Sequence, residues 1–140
     1  MIKFIEMDKN VTIKDQIKEE QENKNGDSVI LINKFDVSPD KIEQFLKDWA
    51  ETSSLFEQQP GFITTELYKG IGKSSIYISY QVWKSIDDFK KGSSSVLNSD
   101  DVNSRLAKYN DSLVISSHLF RKVVAPGIKI RLLIGVIISF

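Results

Sequence analysis

Residues 28–60, SVILINKFDVSPDKIEQFLKDWAETSSLFEQQP, change their hydrophobic period in mid-stretch. Up to Val37 the apolar residues fall on both alternating sets, Val29, Leu31, Phe35 and Val37 on one, Ile30 and Ile32 on the other. That is the pattern of a central strand covered on both sides. Asn33 interrupts the more apolar set. From Ile42 the spacing becomes helical, and Ile42, Phe45, Leu46, Trp49 and Phe56 make one stripe directed at a core. Ser38 suits an N-cap, Pro39 the first helical position and Asp40 the first turn, while Pro60-Gly61 cannot continue the helix.

The remaining segments extend this unit. GFITTELYKG reads as a strand closed by Gly70, GIGKS as a hairpin connection, and SSIYISYQVW as the next strand. In that third strand Ile76, Ile78, Tyr80 and Val82 make a mostly apolar face, and Tyr77, Ser79, Gln81 and Trp83 an aromatic and polar one. Ser85, with Asp88 three residues on, resembles a capping box for a second helix. KKGSSSVLNS is expected to cut that helix short, and a further helical piece restarts near Ser99 with Val102, Leu106 and Tyr109 on one face. The last core strand spans Ser112 to Val124. The order strand, helix, strand, strand, helix, strand predicts an α+β, ferredoxin-like βαββαβ domain with a four-stranded antiparallel sheet and helices on one face. The bare face of such a sheet needs cover. Burial is worth roughly 25 cal/mol per Å², so a second copy of the sheet is the simplest cover, and a homodimer is expected.

Composition narrows the function classes. The 140 residues fit one compact domain, and 19 basic residues balance 19 acidic ones, which gives no basic stripe for nucleic acid. There is no cysteine, hence no disulfide, thiolate metal site or cysteine nucleophile. No secretory signal is read at the start of the sequence, and a cytoplasmic protein is expected. Three regions are expected: a charged N-terminal arm (1–27) with room for a short strand or helical turn, the domain (28–124), and an apolar tail (125–140). The tail, broken by Lys129 and Arg131, is too short to span a bilayer, which takes about 20 apolar residues. It reads as an added strand on the body or a partner, or else as a membrane-surface anchor or a disordered hydrophobic tail.

Glycine-rich phosphate loops, a G-x-S-x-G elbow and H-E-x-x-H are absent from the sequence. His118 is the single histidine, so a multi-histidine metal site cannot form within one chain. Asn33 carries more information. An amide on a central strand must find partners or cost roughly 1–3 kcal/mol, and it can serve as a satisfied core amide or face a pocket. Trp83 can be a packing residue at a strand-to-helix corner or an aromatic wall whose indole N–H bonds a ligand oxygen.

Four segments in order, VILINKFDVSPDKIEQFLKDW, QQPGF, YQVWKSIDDF and SHLFRKV, resemble the antibiotic biosynthesis monooxygenase domain from about Val29 to Val123. The resemblance implies a dimeric α+β barrel. It also implies a cofactor-independent monooxygenase, without metal or prosthetic group, that oxidises a quinol or aromatic small molecule with O2. Asn33 and Trp83 match an asparagine and a tryptophan of the family's heme-degrading branch. In the cofactor-independent reading they are the expected catalytic residues, Asn33 hydrogen-bonding a substrate or oxygen-derived group and Trp83 stacking on or bonding the ring, with Tyr77, Gln81 and His118 as candidates for substrate binding. A non-catalytic barrel that binds a small hydrophobic ligand is the alternative. A heme-degrading branch of the family is a distant third, because Ala107 stands near the position of its histidine ligand.

Overall fold

The computed structural model describes residues 2–24 and 26–123. The apolar C-terminal segment expected from residue 125 lies outside the described residues. Strands β1 (Lys3–Glu6), β2 (Val29–Val37), β3 (Phe62–Lys69), β4 (Ile76–Trp83) and β5 (Leu113–Phe120) form one sheet in the order β1-β5-β2-β4-β3. Helices α1 (Ile13–Glu22), α2 (Ile42–Glu57), α3 (Ile86–Leu97) and α4 (Asp100–Ala107) complete the fold. The four antiparallel strands β3, β4, β2 and β5 are the expected α+β arrangement. The sheet has one strand more than expected, because β1 adds to the β5 edge in parallel, Lys3 beside Val114 and Glu6 beside Ser117.

The residues before β2 are thus built into the sheet edge. A capping box starts α1: Thr12 Oγ1 accepts from Asp15 N–H at 3.1 Å, and Asp15 Oδ2 accepts from Thr12 N–H at 3.1 Å. Gln16 then fastens α1 to β5, donating to the Leu119 carbonyl and accepting from the Leu119 N–H, both at 2.9 Å.

Three local expectations are corrected. Ser38 makes no side-chain cap, and Pro39–Lys41 form a 3-10 turn from which α2 begins. Leu46 leaves the apolar stripe of α2 for solvent, while Phe45 and Phe56 are buried. The stretch KKGSSSVL does not break α3, which runs through it to Leu97. Burial outweighs propensity here. Ile86, Phe89, Gly92 and Val96 recur at helical spacing and are all buried. Gly92 gains its place by contact, since a Cβ there would lie 2.4 Å from Cη2 of Trp83. Ser85 and Ser99 do cap α3 and α4, accepting from Asp88 N–H at 3.1 Å and from Val102 N–H at 3.2 Å.

The odd-numbered residues of β2, β4 and β5 face the helices and fill two adjoining cores. One gathers Val29, Leu31, Phe56, Trp83, Phe89 and Leu119; the other gathers Phe35, Val37, Phe45, Tyr77, Tyr109 and Leu113. Ile30, Ile32, Ile78, Tyr80 and Val82 project from the opposite face and belong to neither core.

Candidate functional site

Between the two cores the packing opens into a cavity of about 580 Å³. Its floor is the inward face of the sheet, its roof is α2, α3 and α4, and the β1–α1 segment forms one wall through Phe4, Glu6, Ile13 and Ile17. Most of the lining is apolar, as expected of a small-molecule pocket with a few placed polar groups.

The polar groups have an order set by strand register. Ser79 on β4, Asn33 on β2, Ser117 on β5 and Glu6 on β1 are successive cross-strand neighbours. They form one polar rung across the floor, and all four line the cavity. Ser117 Oγ donates to Asn33 Oδ1 at 2.5 Å, which fixes the amide with its NH2 toward Ser79. That second contact, Asn33 Nδ2 to Ser79 Oγ, is 3.5 Å. A hydrogen bond so long is weak, so the Asn33 NH2 keeps donor capacity for a ligand.

Gln81 stands one rung away on the same face and also lines the cavity. Behind it, Trp83 is fully buried and donates its indole N–H to Gln81 Oε1 at 2.8 Å. An indole N–H can only donate, so this bond commits the Gln81 oxygen and leaves its NH2 without a partner among the described residues. The rings of Phe56, Phe62 and Phe89 hold the indole edge-on, with centroids 6.2, 5.4 and 6.0 Å away. Trp83 therefore does not line the cavity. It reaches the cavity through Gln81.

Of the other sequence candidates, Tyr77 is buried in the core against Phe45, with ring centroids 5.3 Å apart, and is not part of the lining. His118 projects from the opposite face of β5, also away from the cavity. Its Nε2 lies 3.0 Å from the Gln16 amide nitrogen, which must be the donor, so the imidazole proton is on Nδ1. The structure thus brings Asn33 and Gln81 together at the cavity and leaves Trp83, Tyr77 and His118 outside it. Ala107 is exposed on α4 and is not part of the lining.

Sequence reasoning missed the polar groups of the roof. Asp48 on α2 and Tyr109 after α4 both line the cavity, and the Tyr109 hydroxyl donates to Asp48 Oδ2 at 2.5 Å. Burial first, then the bond to Asp48 and its charge, hold the Tyr109 phenol well above its ordinary value of 10.0. Arg105, on the same wall, is paired with Asp101 at 2.6 Å and Glu51 at 3.1 Å. The helical spacing of Asp48 from Phe45, and of Tyr109 from Leu106, was the available signal. Among the described residues no group of three or more His, Cys, Asp or Glu is placed to hold a metal ion, and no helix is long and apolar enough to cross a membrane.

A ferredoxin-like sheet with helices on one face and an apolar cavity between the layers defines a class of small α+β ligand-cavity domains. Residues 28–95 match the model of the antibiotic biosynthesis monooxygenase family. SnoaB, a cofactor-independent oxygenase from Streptomyces nogalater, is 22% identical, with 73% of this chain and 99% of that chain covered and a TM-score of 0.57. A Shewanella loihica PV-4 protein assigned as a monooxygenase is 24% identical, with 71% and 97% covered and a TM-score of 0.53. A conserved protein from Methanosarcina mazei Go1 is 16% identical, with 70% and 95% covered and a TM-score of 0.58. At these identities the likeness shows the fold. A comparison with curated proteins finds no match.

Proposed function

We propose that the chain is a cofactor-independent monooxygenase that oxidises a quinol or other phenolic aromatic with O2. The observation that carries this reading is the pair of amide NH2 groups, Asn33 and Gln81, set into the floor of an otherwise apolar cavity. The family match over residues 28–95 and the likeness in fold to SnoaB, a cofactor-independent oxygenase, support it. The chemistry asks little of the protein. A phenol loses its proton, the electron-rich ring reduces O2, one oxygen atom replaces hydrogen on a ring carbon to give a carbonyl, and the other leaves as water. Charge develops first on the phenolate oxygen and then on the oxygen-derived group. Two preorganised amide donors in a dry pocket stabilise such charge more strongly than water does. Trp83 is a positioning residue in this scheme, because its N–H decides which end of Gln81 faces the substrate.

A second copy of the chain is proposed to cover the bare sheet face. Ile78 and Phe120 are exposed there beside Ile30, Ile32, Tyr80 and Val82, a continuous apolar surface. Ile78→Glu should shift the protein from dimer to monomer in sedimentation equilibrium; a wild-type monomer at micromolar concentration would refute this.

The catalytic reading is tested by oxygen uptake with a panel of hydroquinones and polycyclic phenols, with no added metal. Uptake with one substrate class, lost in Asn33→Ala with its fold intact, is expected. Uptake with none of them would leave a pocket that binds without turnover.

A further inference from the structure

Oxygenation of a phenol begins with loss of a proton, and the single histidine faces away from the cavity. The base must then come from another lining residue. Two carboxylates line the cavity, Glu6 and Asp48. Glu6 lies exposed on the edge strand, where its Oε2 accepts from the Ile13 N–H at the start of α1 at 3.2 Å. Asp48 is half-buried in the roof, across from the amide floor. We infer that Asp48 is the general base that takes the substrate's phenolic proton, and that Tyr109 is the positioning residue that holds it for that task.

Three features of the geometry support this assignment, which rests on the monooxygenase reading above. First, Tyr109 donates to Oδ2 only, and among the described residues nothing donates to Oδ1. One carboxylate oxygen is anchored and the other keeps its lone pairs for a ligand proton. Second, the anchor is rigid: Tyr109 is 2% exposed, and its Asp48 bond ties α2 to the end of α4 across 61 residues of sequence. A Tyr109 phenol that stays neutral remains a donor throughout the working pH range. Third, no ion pair neutralises Asp48 among the described residues. Arg105 of α4 also lines the cavity; its Nη2 is paired with Glu51 of α2 and Asp101 of α4, and its Nη1 is buried without a hydrogen-bond partner among the described residues. Lys90 of α3 and Glu6 of β1 are the other charged groups of the lining, and neither forms an ion pair with Asp48.

The proton balance closes without another group. The phenol O–H breaks, its electron pair stays on oxygen, and Asp48 becomes a carboxylic acid. The phenolate, facing the Asn33 and Gln81 amides, then reacts with O2. Asp48 returns the proton to the water that leaves.

Asp48→Asn keeps the shape and the Tyr109 contact but cannot accept a proton. General-base catalysis contributes about 10²–10⁴-fold, so kcat at pH 7 should fall by about 100-fold or more. The rate should then climb about tenfold per pH unit as the free substrate ionises by itself, which a structural role for Asp48 does not produce. Affinity for the quinone product, read by fluorescence quenching, should change little. Tyr109→Phe should lower kcat by a smaller factor with KM nearly unchanged.

The experiment is the pH profile of oxygen uptake by wild type, Asp48→Asn and Tyr109→Phe, run with product affinity on the same samples. A deep loss at pH 7 with recovery in alkali and intact product binding is the expected result. An active wild type whose Asp48→Asn variant keeps the same rate and profile overturns the inference and leaves the monooxygenase standing. Loss of product binding in Asp48→Asn assigns Asp48 to the pocket wall and likewise overturns it. A wild type without uptake on any quinol or phenol overturns both.

Discussion

Replacing Gly92 by alanine tests the packing on which the site is built. A Cβ at position 92 would lie 2.4 Å from Cη2 and 2.6 Å from Cζ3 of Trp83, with Gln59 Cβ at 3.2 Å. Carbon atoms prefer about 3.5–4.0 Å, so the indole or α3 must move by roughly 1 Å. The indole has no free side, being fully buried and edge-on to three phenylalanine rings. Overpacking of this kind costs about 1–3 kcal/mol, and the better helix propensity of alanine returns about 1 kcal/mol. The net is a destabilisation of up to about 2 kcal/mol. With an m-value of ~2 kcal/mol/M, the urea midpoint should fall by up to about 1 M. Run in a Trp49→Phe background, the experiment also reports on Trp83 alone, whose emission should shift as its bond to Gln81 loosens. A variant as stable as wild type, with unchanged emission, would show that α3 does not press on the indole, and the argument that Trp83 fixes Gln81 would fail with it.

Trp83→Phe keeps an aromatic ring but removes the donor, so Gln81 can turn its oxygen toward the cavity; kcat should fall about tenfold with less change in KM, measured by oxygen uptake. The orphaned Gln81 oxygen should also cost about 1–3 kcal/mol in urea unfolding. Gln16→Ala removes both bonds to Leu119, and faster amide exchange in α1 and at Leu119 is expected while the central strands stay protected. Tyr109 makes stability depend on pH in alkali. Its folded value is raised, so its contribution is complete below pH 10.0 and is lost as pH rises beyond it, where the unfolded tyrosine ionises and the folded one does not. Wild type should therefore lose stability faster than Tyr109→Phe above about pH 10.

Much of the fold was legible because its signals are local. The two-residue period of β2, the helical period of α2, the hairpin at Gly72 with its φ of 71° and the serine caps of α3 and α4 each act within a few residues. The errors came where distant contacts decide. Around Lys90–Ser95 the sequence offers only the helical spacing of Phe89 and Val96 against a glycine and three serines; the Trp83 ring, against which Gly92 packs, decides that α3 continues. Nothing in KFIE says that it pairs with β5, because a parallel edge strand takes its register from a partner more than a hundred residues away. The site divides in the same way. Asn33 stands out as the one polar residue on an apolar face; Gln81 reads only as part of the aromatic and polar face of its strand, and that this face turns inward is set by the packing of the helices. Trp83 matched its family position, but its isolation from the cavity depends on how three phenylalanine rings close around it. Asp48 and Tyr109 come together only when α2 and the end of α4 are packed over the sheet.

The most direct test of the central claim is single-turnover oxidation of an active quinol under 18O2, with the product analysed by mass spectrometry before its carbonyls exchange with water. The proposed monooxygenase transfers one labelled atom to each product molecule and releases no hydrogen peroxide, and Asn33→Ala forms no labelled product. Unlabelled quinone with an equivalent of peroxide would mean that the cavity merely passes electrons to O2, and would contradict the account.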